Sequence, residues 1–147
     1  MKQARNSAQR GTVLVELAII LPFLVTVFLI SVDLGIILRE HQILQNAARE
    51  GARFSSLPQN RVTPINPTAT VAAIQQRVVD YLAQENITVS TASVTVNQQY
   101  PITIGGMTVQ GSQITVTYAR SLLVAGAPLL PAGQITLKGQ SVFRNLY

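Results

Sequence analysis

Glu16 is the residue whose position most asks for chemistry. It lies inside an apolar run, five residues past Gly11, and no charge follows from Leu17 to Val32. A carboxylate near the end of a membrane helix is costly and needs a partner or a nearby surface. Before it, a short basic leader (Lys2, Arg5 and Arg10, with no acid) stops at Gly11. Other reactive groups are sparse. His41 is the single histidine and follows the apolar run. Asp80 and Glu85 sit on or near one predicted helix with no metal-ligand set around them. Serines and threonines are plentiful, but no histidine near the C-terminal end could activate one. Gly105-Gly106 and Gly111 read as turn glycines rather than a phosphate-binding loop. The expectation is no catalytic residue, no cofactor and no metal site, and so not an enzyme.

The composition sets the frame for these residues. The chain has 147 residues, a hydrophobic share of 48% and a mean hydropathy of +0.31. That suits one modest domain with a segment in lipid. The net charge is +5. Three of the basic residues lie in the leader and the others are scattered. No basic stripe interleaved with aromatics appears, so nucleic acid is not an expected partner. Cysteine is absent, which excludes disulfides and thiolate chemistry.

The element that must carry Glu16 is a membrane-spanning helix. Leu17 to Leu38 would run about 33 Å as a helix, against a hydrocarbon core of about 30 Å. A secretory signal would have a shorter apolar core and a small-x-small cleavage site. Here Arg39-Glu40-His41-Gln42 follows instead. The basic leader favours a cytoplasmic N-terminus, with the remainder outside the membrane. Pro22 falls within the run and predicts a mild kink. Asp33 would sit at the outer interface or make a specific helix contact. Gly35 would let another helix approach.

Helix-forming sequence continues past the apolar run to about Ser56. Leu44, Ala47, Ala48, Gly51, Ala52 and Ser55 recur at spacings of three and four and form a small-residue face. Such a face lets a partner backbone come close. Two partners are equally open: the protein's own domain or a helix of another subunit.

Residues 57–70 read as a linker, with Pro58, Pro64 and Pro67 among polar residues. Residues 71–147 read as a head. A helix over about Thr70 to Glu85 presents Val71, Ile74, Val78 and Leu82 on one face. Strands are expected at Ile87–Val89, Val94–Val96, Ile102–Ile104, Met107–Val109 and Ile114–Tyr118, with a last one beginning at Ile135. Gly105-Gly106 is a hairpin signal. The fold class is α+β: a long N-terminal helix, then a small head with one amphipathic helix packed on an antiparallel sheet. A head beginning near Pro58 is expected to fold by itself.

Three stretches of the N-terminal half resemble a known family. Val15-Glu16-Leu17-Ala18-Ile19-Ile20-Leu21-Pro22, then Asp33-Leu34-Gly35, then Gln45-Asn46-Ala47-Ala48-Arg49-Glu50-Gly51-Ala52-Arg53 look like the TadE-like pilus-assembly proteins. The resemblance covers about Gly11 to Ser56. It implies a minor pilin or pseudopilin of the tight-adherence pilus system, held in the inner membrane with an extracytoplasmic head. Incorporation into a surface pilus is part of that implication. The implied partners are membrane lipid, prepilin peptidase, major and other minor pilins, and the pilus assembly platform.

By the same resemblance, residues 1–11 are a prepilin-type leader cut between Gly11 and Thr12. Residues 12–56 are then the mature transmembrane and extended helix. Glu16 becomes the fifth mature residue, the signature glutamate of pilin-like precursors. Leu17 departs mildly from the aromatic residue common after it. Cleavage would place a new amine on Thr12, one helical turn from Glu16. The carboxylate would pair with that amine or with a neighbouring subunit's, and so offset the cost of an isolated charge. The alternative is an unprocessed, membrane-tethered binding module of a secretion or envelope complex.

Overall fold

In the computed structural model, the backbone is described for residues 2–63, 67–123 and 133–147. Side chains are described for residues 13–63, 70–123 and 133–147. The elements run α1 (Lys2–Ser55), a 3-10 turn (Pro58–Asn60), α2 (Pro67–Gln84), a second 3-10 turn (Thr91–Ser93), β1 (Val94–Ile104), β2 (Met107–Ser121) and β3 (Gln134–Arg144). The architecture is α+β: one long helix, a second helix and a three-stranded antiparallel sheet in the order β1-β2-β3.

Each boundary has a local cause. Pro67 opens α2, where its missing N–H is not needed. Asn86 closes α2 in the left-handed region, at φ 62°. Ile87 N–H then reaches back to the Leu82 carbonyl at 2.9 Å, and both side chains are buried. Gly105 and Gly106, at φ 58° and 84°, make the tight turn between β1 and β2 that L side chains resist. Pro101 is tolerated because β1 is an edge strand.

Three sequence expectations change here. Ile87–Val89 is not a strand, because Ile87 is spent closing α2 and filling the core. Val94–Val96 and Ile102–Ile104 are one strand, with a pairing irregularity between Asn97 and Tyr100. Met107–Val109 and Ile114–Tyr118 are likewise the two ends of β2.

The core lies between one sheet face and the two helices. Ile74, Val78 and Leu82 of α2 are fully buried, and Val71 is only partly so. They meet Val94, Ile114, Val116 and Leu137 from the sheet. The second half of α1 supplies Ile43, Leu44, Ala47, Ala48 and Ala52 to the same core. The head is therefore not closed by residues from Pro58 onward, as the sequence suggested. The helix and sheet after the linker share their core with α1, which covers Ile74, Val78 and Ile114.

β2 runs antiparallel to α1, back toward the apolar segment. Near its start Ser112 meets Ser55; Ile114 lies against Gly51; Arg120 meets Glu40; and Leu123, just beyond its end, meets Asp33. The end of the sheet that carries the β2–β3 connection is thus brought down beside residues 30–37 of α1.

Candidate functional site

α1 has two halves with different environments. From Val13 to Leu38 nearly every large apolar side chain is exposed, Phe23 and Phe28 among them. This is one helix long and apolar enough to cross a membrane. The helix continues through Pro22, whose ring removes a backbone donor. Two hydroxyls fold back onto the helix backbone. Thr26 Oγ1 donates to the Pro22 carbonyl at 2.8 Å, and Ser31 Oγ to the Val27 carbonyl at 2.9 Å. Neither hydroxyl is then left unpaired on the apolar surface. Glu16 is exposed on this half. The side chains of Gly11 and Thr12 lie outside the described residues. A Cβ built at Gly35 meets nothing within 4 Å, so that position is open.

The second half of α1 is packed into the head. Ala47, Ala48, Gly51 and Ala52 are all buried against the chain's own domain. A Cβ added at Gly51 would come within 2.4 Å of Val78 Cγ2. A Cβ added at Gly139 would come within 2.4 Å of the Leu44 carbonyl oxygen. The small residues of α1 and a glycine of β3 therefore set a close helix-to-sheet approach. His41, Arg49 and Arg53 point away into the exposed surface.

Two polar clusters fix α1 to the sheet. At the top, the Asn97–Tyr100 irregularity turns Gln98 inward. Its Nε2 lies 3.0 Å from the Ser55 carbonyl and 2.8 Å from that of Asn60; its Oε1 accepts from Val62 N–H at 2.7 Å. The Tyr147 hydroxyl donates to the same oxygen at 3.1 Å. Burial holds the Tyr147 phenol above its usual value of 10.0, against the opposing pull of Arg61.

The lower cluster joins Asp33, Glu40 and Arg120. Asp33 is only 5% exposed and accepts from Leu123 N–H at 2.9 and 3.2 Å through its two oxygens. Arg120 Nη2 lies 3.8 Å from Asp33, while Nη1 donates to Glu40 Oε1. Asp33 therefore makes a specific contact with the chain's own head. Beside it lies a cleft of about 200 Å³ lined by Ile30, Asp33, Leu34, Ile37, Leu122 and Ile135. Sequence reasoning missed Glu40 and Arg120. Eighty positions separate them, and no spacing rule connects a helix residue to a strand that far away.

Among the described residues, no group of three His, Cys, Asp or Glu is placed to hold a metal ion. Asp80 accepts from Gln76 on its own helix, and Glu85 lies 3.9 Å from Arg39. The arrangement presents a long exposed apolar helix, a close-packed joint and a small head. The chain matches no curated protein and no solved structure. Residues 11–53 match the family model described as TadE-like protein, and the match falls on the helix that carries both the exposed apolar run and the inner wall of the head.

Proposed function

We propose that the chain is a minor pilin or pseudopilin of tight-adherence (Flp-type) pilus assembly, anchored in the inner membrane by α1 and processed after Gly11. The TadE-like match at residues 11–53 supports a role in the tight-adherence pilus system. The observation that carries the finer reading is the state of α1 between Val13 and Leu38. It is apolar, exposed on all sides as far as Phe28, and its only charged residues are Glu16 and Asp33. Asp33 is answered by the head, whereas Glu16 is exposed. In the mature chain the Thr12 amine, one turn away or on a neighbouring subunit, answers it. The role is structural rather than enzymatic. Its partners are prepilin peptidase, lipid, other pilins and the assembly platform.

The burial of Ala47, Ala48, Gly51 and Ala52 within the head supports a second reading. That face is spent inside the chain and leaves no small-residue seam on the head-proximal half of α1. Contacts between subunits then fall to the exposed half. An unprocessed tethered module would need none. Sheared surface pili separate the two readings. Recovery of the chain in the pilus fraction, and its loss with Gly11→Val, supports the minor pilin. Retention in the membrane fraction alone, equal for both proteins, supports the tethered module.

A further inference from the structure

The membrane-proximal end of the sheet is more apolar than a solvated hairpin end needs to be. β2 descends along α1 and ends where Leu123 N–H donates to Asp33. Leu122 N–H donates to the Gly133 carbonyl at 3.0 Å and closes the hairpin. Both backbone donors are satisfied. Leu123 is nevertheless 58% exposed, beside the exposed Ile30 and Leu34 of α1. From Leu122 to Gly133 the sequence has no charged side chain and none that can hydrogen-bond.

Depth decides what faces this end. Asp33 is 17 residues beyond Glu16, a rise of about 26 Å along a helix, within a hydrocarbon core of about 30 Å. With Glu16 at the inner boundary, Asp33 lies inside the outer boundary, and tilt only lowers it. The hairpin end bonded to Asp33 shares that depth.

We propose that the β2–β3 end, through Leu122, Leu123 and Ile135, is a second membrane contact, and that an acyl chain of the outer leaflet occupies the cleft formed with Ile30, Leu34 and Ile37. The proposal rests on the span assigned to α1. Three observations commit the cleft to lipid. It is continuous with the exposed apolar face of the span. Its one charged lining group, Asp33, is already bonded to Leu123 and lies near Arg120. At the hairpin end beside it the backbone N–H groups of Leu122 and Leu123 are both paired, and the Gln134 amide lies 3.5 Å from Ser121 Oγ, so part of the polar cost of contact with hydrocarbon is already met. The consequence is a head held to the bilayer at two points, with its orientation about α1 fixed. The Asp33–Arg120–Glu40 cluster is then the polar lock that lets a charged residue sit at this depth.

The chain has no tryptophan, so single reporters are clean. Three variants of the full chain, Leu123→Trp, Phe28→Trp and Met107→Trp, are placed in phosphatidylcholine–phosphatidylglycerol vesicles. Some vesicles carry lipid brominated near the headgroup end of its acyl chains, matched to position 123, and others lipid brominated deep in the chains, matched to position 28; iodide is the aqueous quencher. Phe28 is in the span and Met107 opens β2 at its opposite end, next to the Gly105-Gly106 turn. Quenching at 123 by brominated lipid, comparable with that at 28 and well above that at 107, together with protection from iodide, is the expected result. Iodide quenching at 123 equal to that at 107 would overturn the proposal. Protection at 123 from both quenchers would overturn it too, since the chain's own residues or a second copy would then fill the cleft. Either failure with lipid quenching intact at 28 leaves the span standing; no lipid quenching at 28 removes the span and this inference together. Leu123→Cys carrying a nitroxide, in a chain without native cysteine, gives an independent reading by its accessibility to oxygen against a polar relaxant. Greater access for the relaxant there would count against the proposal.

Discussion

Gly51 of α1 faces Val78 of α2 so closely that a single added Cβ would approach the Val78 methyl to 2.4 Å. This contact explains the small-residue face. α1 can cover both α2 and β2 only where its own side chains are minimal. Gly51→Ala forces Val78 or the helix to shift, and overpacking of this kind costs about 1–3 kcal/mol. Gly51→Leu is expected to abolish the folded head. Loss of protein in that variant would report on the fold, not on pilus assembly. Urea unfolding of the Gly51→Ala chain is the measurement; an unchanged midpoint would contradict the packing described.

The boundary of the folding unit follows from the same joint. A fragment of residues 39–147 keeps Glu40, Ile43, Leu44 and the alanine face, and is expected to fold. A fragment of residues 58–147 loses all of these and leaves Ile74, Val78 and Ile114 uncovered. It should give the narrow amide dispersion of an unfolded chain in a proton–nitrogen correlation spectrum. Wide dispersion from the shorter fragment would show that α2 and the sheet suffice.

Leu82 fills the core and also forms part of the capping arrangement that ends α2. Leu82→Ala or Ile74→Ala should cost about 2–5 kcal/mol, the range for emptying a buried aliphatic site. Val71→Ala should cost visibly less, because Val71 is only partly buried. Equal losses at positions 71 and 82 in thermal unfolding would contradict the burial order.

Arg120 is the sole cation described between Asp33 and Glu40. Removing it leaves two buried carboxylates, and loss of one partner from a buried ion pair costs about 3–5 kcal/mol. Arg120→Ala should therefore lower stability far more than Arg77→Ala, since the exposed Arg77 and half-buried Glu50 form a surface pair worth about 0–1 kcal/mol. The comparison of the two midpoints is the test, and equal midpoints would refute it.

The sequence carried the elements whose signals are local. The charge-free run after Glu16, the helical spacing of Ile74, Val78 and Leu82, and the Gly105-Gly106 turn each read correctly. The ordered motif from Val15 to Arg53 pointed to the family matched at residues 11–53. What escaped was non-local. Asn97, Gln98 and Gln99 interrupt the alternation of β1 because Gln98 turns inward to bind Ser55 and Asn60, 43 and 38 positions away. Gly111 and Ser112 hide the continuity of β2 for the same reason: Ser112 is used against Ser55. The spacing of Ala47, Ala48, Gly51 and Ala52 is identical for an internal and an external partner, so only the packed structure distinguishes them. Arg120 carries no mark of its role, since its two carboxylate partners lie on the far side of the chain in sequence.

Maturation as a pilin-like subunit would leave its mark on the mass of the chain purified from its native membrane. The expected polypeptide begins at Thr12, with full-length precursor accumulating for Gly11→Val because a bulkier side chain obstructs the scissile bond. A native chain that still begins at Met1 or Lys2 would contradict it.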